Sequence, residues 1–238
     1  MPLYLVPVPL GDSPLHHVLP SHNAAILLPI RHFIVENIRS ARRFLRLVHP
    51  DFPIDDLTFF VLNQHTPIAD IPSFLAPLDL DLPVALLSDA GCPAIADPGA
   101  QVVALAHQRG FTVLPLVGPS SILLALIASG LNGQSFAFHG YLPVNPQDRQ
   151  HALKRLDNCV HSLRQTQIFI ETPYRNNALF TAILHTCLPH TLLCLAANLT
   201  SPHQLICTLP ISAWLRHTPP DLNHQPTTFL LGAPLPHA

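Results

Sequence analysis

Three short segments combine small, proline-fixed and hydroxyl-bearing residues in a way that suits backbone contact with a ligand. They are Pro9-Leu10-Gly11-Asp12, Asp89-Ala-Gly-Cys-Pro-Ala-Ile-Ala-Asp-Pro-Gly99 and Gly118-Pro119-Ser120-Ser121. Glycine and short side chains let main-chain N–H and C=O groups approach a bound molecule that a larger residue would hold off. Any one such segment is equally a plain turn. Each of the three, however, follows an apolar run of strand type, and in open α/β sheets ligands lie outside the carboxyl ends of the strands. Together they point to a ligand crevice. None contains GxGxxG, and the single lysine, Lys154, is remote from all three. A dinucleotide or a triphosphate is therefore disfavoured.

The remaining reactive residue types exclude more than they offer. The 16 histidines are scattered, with no HExxH or HxH spacing, and most read as solvent-facing positions. Cys92, Cys159, Cys187, Cys194 and Cys207 contain no CxxC. No metal site is expected, and the thiols are expected to be free and reduced, as in the cytoplasm. The charged residues are 11 Arg, one Lys, 12 Asp and two Glu, for a net charge of -2. That balance gives no global attraction to nucleic acid, so an RNA would have to be held by a local patch. Arg39, Arg42, Arg43 and Arg46 recur at i, i+3, i+4 and i+7, on one face of an expected helix.

The elements that must position these residues can be read from periodicity. With 238 residues, 48% hydrophobic and only 11% charged, the chain can bury a sizeable core and is not disordered. The most apolar stretch, residues 113–131, is broken by Pro115 and by Gly118-Pro119-Ser120-Ser121, so a membrane span is not expected. The N-terminus lacks a basic region followed by an unbroken apolar run, and a soluble, unprocessed protein is expected. Strands are expected at 3–10, 24–30, 59–62, 82–88 and 112–117. A helix is expected over 31–49, with Ile34, Ile38, Ala41, Leu45 and Val48 as its apolar stripe, and another over 100–109, closed by Gly110. Residues 133–148 read as a polar, turn-rich boundary. Beyond it the pattern restarts as helix 148–163, strand 167–170, helix 176–186 and strand 191–196. A hairpin-like pair, 203–209 and 227–232, comes last. This alternation predicts an α/β protein with right-handed crossovers, in two α/β domains spanning 1–116 and 117–238.

LYLVPVPLGD at the start, VALLSDAGCPAIADPG, VGPSSILLALIASGL, FAFHGYLP and QIFIETPYR occur in one order along the chain. In this set the sequence resembles the tetrapyrrole-methylase superfamily of S-adenosylmethionine-dependent methyltransferases. It is most similar to the branch that methylates a ribose 2'-hydroxyl of a cytidine in bacterial small-subunit ribosomal RNA. The resemblance runs from Leu3 to about Pro234.

It implies two α/β domains with S-adenosylmethionine in the cleft between them, and a homodimer. Leu10 would line the adenosine side of that pocket. Cys92 and Ile95 would present backbone to the methionine end, and Ser120 and Ser121 would contact the cofactor. Ile170, Ala197 and Thr227 would close the adenine pocket. The branch carries Glu-Asp-Thr-Arg and Glu-Ser-Pro-His-Arg where this chain reads Glu36-Asn37-Ile38-Arg39 and Glu171-Thr172-Pro173-Tyr174-Arg175. Both glutamates of the chain thus fall within motifs. Where the branch shows Ala-Arg-Glu-Leu-Thr-Lys, this chain reads Ala196-Ala197-Asn198-Leu199-Thr200-Ser201, without the charges.

Methyl transfer to a hydroxyl is an in-line displacement in which the acceptor also sheds a proton. Glu171 or Asp89 is expected to take that proton or to orient the hydroxyl, with Glu171 preferred because its motif follows a strand. Glu36 and Arg39 are the further catalytic candidates; the competing reading is a Glu36–Arg39 pair that braces a helix. For an RNA acceptor, residues 39–46 would meet phosphates, and Tyr141, Tyr174 and Trp214 are candidates for stacking on bases. Two alternatives stand beside this reading: C-methylation of a tetrapyrrole, and binding of the cofactor without catalysis.

Overall fold

The computed structural model of the chain describes residues 1–234. They form two compact units, Met1–Ser120 and the chain from Ser121 onward. The division falls after Ser120 rather than after 116 because residues 116 and 117 remain tied to the first unit: Leu116 N donates to Leu5 O at 2.9 Å, and Asn23 Nδ2 to Val117 O at 2.9 Å.

The first unit is built on five parallel strands: β1 (Leu3–Val6), β2 (His32–Val35), β3 (Thr58–Val61), β4 (Val84–Leu87) and β5 (Val113–Pro115), in the order β3-β2-β4-β1-β5. The inner strands are apolar on both faces, so both must be covered. Phe33, Val35, Ala85 and Leu87 pack with residues of α2 (Ser21–Leu27, preceded by the short α1, Leu15–Val18) and α3 (Ile38–Val48). Ile34, Val84 and Leu86 face the other way, against α4 (Ile71–Phe74), α5 (Ala76–Asp79) and α6 (Gly99–Gln108). Each of the Val, Leu, Ile and Phe side chains among them contributes roughly 1.5–3 kcal/mol when fully buried. The chain steps outward from β1 to β2 and β3, then returns to β4 and β5. The reversal brings the carboxyl ends of β1 and β4 side by side, which is where such sheets open to ligands.

Two sequence expectations change here. Residues 24–30 are not a strand; most of them lie in α2, which faces Asn23 and Leu27 inward and stops before Pro29. Residues 32–35 are strand rather than helix, so the helical stripe begins at Ile38. The aromatic and β-branched run His32-Phe33-Ile34-Val35 suits the pleated, buried position better than its apparent helical period.

The second unit has a mixed sheet: β6 (Phe136–Tyr141), β7 (Thr166–Ile170), β8 (Leu192–Ala197), β9 (Leu205–Pro210) and β10 (Thr227–Gly232), in the order β6-β7-β10-β8-β9. β6 and β7 are parallel, and β10 is antiparallel to both β7 and β8. The hairpin-like pair expected at the end of the chain is therefore separated: β8 lies between β9 and β10 and pairs with both. The supposed boundary 133–148 contains β6. This edge strand was hidden by Gly140, whose φ of +64° falls where the register shifts, as a bulge requires. One face of the sheet holds Phe169 and Phe229, stacked with centroids 5.9 Å apart, beneath α8 (Pro146–Leu163) and α9 (Asn176–Thr186). The helix α7 (Ser121–Ser129) packs on β8–β10, and Thr208 Oγ1 donates to Ser129 O at 2.8 Å. The short α10 (Ile211–Trp214) completes the core on the first face.

Candidate active site

The three ligand-type loops of the first unit leave β1, β4 and β5 at their carboxyl ends and are bound to one another. Val8 N donates to Gly91 O at 3.0 Å and Gly91 N to Val8 O at 3.1 Å. Cys92 Sγ donates to Pro119 O at 3.4 Å. Gly91 has a φ of +73°, and a Cβ there would come within 3.1 Å of Leu10 Cδ2 and 3.5 Å of Pro119 O. Conformation demands glycine first, and the closeness of the other two loops adds to that demand. Gly118 is tighter still, since a Cβ would stand 2.2 Å from Pro7 Cγ. Leu10, Cys92 and Pro119-Ser120 thus belong to one patch.

Within the middle loop Ala94 and Ala96 adopt φ values of +66° and +61°, which cost energy for residues bearing a Cβ. Asp97 holds them there. Its Oδ1 accepts from Ala94 N and Gly99 N, both at 2.8 Å. Ile95 is carried outward by this turn, 46% exposed. Among the described residues, nothing accepts a hydrogen bond from the amides of Cys92 and Ile95. With no lysine or arginine on any of the three loops, the patch suits an uncharged or zwitterionic nucleoside better than a triphosphate.

Beside this patch three carboxylates converge. Val35 and Leu87 are register partners in β2 and β4, so Glu36 and Ser88 leave the sheet together, with Asp89 next in line. Asn37 caps α3, accepting from Arg39 N at 2.8 Å and Ser40 N at 3.3 Å. Glu36 therefore lies before the helix, and among the described residues it makes no ion pair with Arg39. The helix-bracing reading is not what the geometry shows. Burial, then the neighbouring charges of Asp97 and Asp89, push the Glu36 carboxyl up to about 7. Burial also raises Asp89, against a hydrogen bond from Ser40, and raises Asp97 against its own hydrogen bonds. Burial keeps Cys92 a thiol.

In the second unit Ile170, Ala197 and Thr227 meet at one end of the three central strands. Because β10 runs antiparallel, its first residues lie at the carboxyl ends of β7 and β8: Thr227 pairs with Ala197 and Thr228 with Ile170. Ala197 and Thr227 are buried, and Ile170 is partly so. Ser121 begins α7. Asn198, at a φ of +50°, suits the left-handed turn after β8, and its Nδ2 donates to Gln225 Oε1 at 2.9 Å.

Glu171 follows β7 and is closed off from solvent. Its Oε1 accepts from Arg175 Nη2 at 2.7 Å, Thr172 N at 2.7 Å and Thr172 Oγ1 at 3.3 Å. Burial alone would raise this carboxyl, but those donors and the Arg175 charge bring it below its ordinary value. Glu171 Oε2 and Arg175 Nε are buried without partners among the described residues.

No protein-family model matches the chain. It is 30% identical over 229 residues to ribosomal RNA small subunit methyltransferase I of Vibrio cholerae serotype O1, a match covering 96% of this chain and 75% of that protein. The chain belongs to the ribosomal RNA small subunit methyltransferase I family. The family member of Escherichia coli O157:H7 is 28% identical over 229 residues, covering 96% of this chain and 76% of that protein. One from Streptococcus pyogenes serotype M3 is 32% identical over 182 residues, 76% of this chain and 59% of that protein. The crystal structure of the methyltransferase CobJ superposes with a TM-score of 0.65 at 17% identity, over 98% of this chain and 94% of that one. That match shows a common fold.

Within this family framework, Asp97 and Ser40 are the residues that reading the sequence passed over. Asp97 was visible in the middle loop, but nothing in the spacing revealed that it would both latch the turn and press on Glu36.

Proposed function

We propose that the chain transfers the methyl group of S-adenosylmethionine to a ribose 2'-hydroxyl of small-subunit ribosomal RNA, and that Glu36 takes the hydroxyl's proton. The observation that carries the proton role is the crowding of Glu36 by Asp89 and Asp97 at the ends of β2 and β4. A carboxylate poised at about 7 is matched to proton removal near neutrality, whereas one held down by an arginine is a weak base. Glu171 accordingly serves as a brace.

When bound, the donor supplies an electrophilic methyl group on a sulfonium centre. Leu10, Cys92, Ile95 and Ser120 of the first unit are the residues we assign to holding it. Support comes from loops that offer main-chain donors and carry no basic side chain. Asp89, bonded to Ser40, orients the acceptor hydroxyl. Arg39 and Arg43 meet RNA phosphates; Arg42 lies over the Phe59 ring, 5.6 Å from its centroid, and Arg46 Nη1 donates to Pro50 O at 2.6 Å.

The protein works in the cytoplasm as a homodimer. An apolar stripe on α7 supports the dimer, with Leu123 53% and Ile127 76% exposed one turn apart. Light scattering on the purified protein checks it, and a monomer at micromolar concentration would remove it.

The decisive test uses methyl-labelled donor and small-subunit RNA from a strain lacking the gene. Label in a ribose, with salt steeply weakening RNA binding, supports the reading. Donor binding measured by calorimetry with no transfer to RNA overturns it, and transfer to a tetrapyrrole instead would redirect it.

A further inference from the structure

Of the three aromatic residues that offered a stacking surface, one is removed by the fold. Trp214 is 5% exposed, meets Phe180 edge-on at 5.5 Å, and donates from Nε1 to Leu193 O at 3.0 Å. It is core. Tyr141 and Tyr174 are the opposite, 55% and 63% exposed. One ends a strand and the other sits in a turn, yet both lie at the same end of the sheet. Tyr141 ends β6 as the register partner of Ile170, the last residue of β7. Glu171 and Thr172 follow, and a single 3₁₀ turn, Pro173–Arg175, sets Tyr174 just beyond.

Arg175 backs one of the two rings. Its guanidinium lies over the Tyr174 ring, 5.4 Å from the centroid. The group is not free to wander: Nη2 is bonded to Glu171 Oε1 at 2.7 Å, that oxygen is further held by Thr172, and Arg175 N donates to Thr172 O at 2.8 Å. The Glu171 charge also neutralises the guanidinium, so the pair makes a poor phosphate clamp. What remains is a flat, fixed, polarisable surface. Rigid aromatic and guanidinium planes of this kind stack on unpaired bases, and do so with little sequence preference because every base has a π-face.

We infer that Tyr174, backed by Arg175 and flanked by Tyr141, is a stacking platform for an unpaired nucleobase of the substrate RNA. The platform rests on the reading that RNA is the substrate. It fixes the strand on the second unit and acts on RNA affinity, not on donor affinity.

A single-stranded oligoribonucleotide carrying one 2-aminopurine is the probe. With the wild-type chain its fluorescence is expected to be quenched on binding. Tyr174→Ala is expected to lose the quenching and to bind about 5- to 150-fold more weakly. Tyr174→Trp should restore both, and calorimetry with S-adenosylmethionine should give wild-type affinity for each variant, showing that the fold is intact. Equal oligonucleotide affinity for wild type, Tyr174→Ala and the Tyr141→Ala, Tyr174→Ala double variant would overturn the platform while leaving RNA methylation standing. A wild-type chain that neither binds the probe nor methylates RNA would instead bring down the substrate reading, and the platform with it.

Discussion

The chain has only two glutamates, and its two units treat them in opposite ways. Glu36, at the end of β2, meets Asp89 and Asp97 and is pushed up to about 7. Glu171, at the end of β7, meets Arg175 and the Thr172 amide and hydroxyl and is drawn down. Both are partly or wholly removed from water, so burial pulls each upward. The difference lies entirely in the company each keeps. Two like groups whose surroundings drive their proton affinities apart divide the work of acid–base chemistry from the work of holding structure. The first carboxylate is expensive to ionise. The second has its charge balanced and one oxygen spent on three donors.

The largest effect that would break this contrast is on turnover. Glu36→Gln is expected to lower single-turnover methyl transfer by about 100- to 10,000-fold, the usual contribution of a positioned base, with donor affinity by calorimetry unaltered. Glu171→Gln keeps an oxygen for the Thr172 amide and is expected to lose far less. If the two variants exchange these outcomes, the proton acceptor is Glu171 and the contrast has been read backwards.

How much of this was legible in the sequence depends on distance along the chain. The α/β class, α6, α8 and α9, and the three glycine- and proline-bearing loops follow from local period and turn chemistry. β2 did not, because an apolar run of a few residues has no period that separates strand from helix. With β2 missed, Glu36 was placed on a helix instead of at a strand end, and its meeting with Asp89 could not be seen. β6 was hidden by its own bulge at Gly140. The pairing of β10 between β7 and β8 is a long-range choice that no local signal encodes, yet it assembles Ile170, Ala197 and Thr227. The Glu171–Arg175 contact was within reach from spacing alone. Its consequence, a carboxylate whose charge is balanced by Arg175 and whose Oε1 is fully engaged, needed the three bonds to Oε1.

The next effect is on stability and falls on the other glutamate. Replacing Arg175 by Ala leaves the enclosed Glu171 carboxylate without its cation, and a lower urea-unfolding midpoint at pH 7 is expected. Its sign with pH follows from the lowered folded value. Stability from Glu171 is present above the unfolded carboxylate value and disappears as pH falls through the folded one. Glu36 runs the other way. Its folded value, about 7, lies above the unfolded 4.5, so the folded state binds the proton more tightly and loses stability as pH climbs between the two. Glu36→Gln is therefore expected to match wild type in melting temperature at pH 4 and to exceed it at pH 8. A melting temperature lowered at both pH values would show that Glu36 is a structural anchor after all.

The finest test touches neither glutamate. Asp97→Asn keeps an Oδ1 to accept from the Ala94 and Gly99 amides, so the turn that carries Ile95 and leads into α6 is preserved. It removes the charge that, after burial, does most to raise Glu36. If Glu36 is the base, kcat/KM for the wild type falls on the acid side with a limb near 7, and that limb moves to lower pH in Asp97→Asn while the plateau above it changes little. Asp89→Asn should move it in the same direction by less, Asp89 being the smaller of the two charge effects on Glu36. Arg175→Ala, acting on the other unit's carboxylate, should leave the limb where it is. A limb that ignores Asp97 and follows Arg175 would place the titrating group at the end of β7, and the two glutamates would have to trade roles.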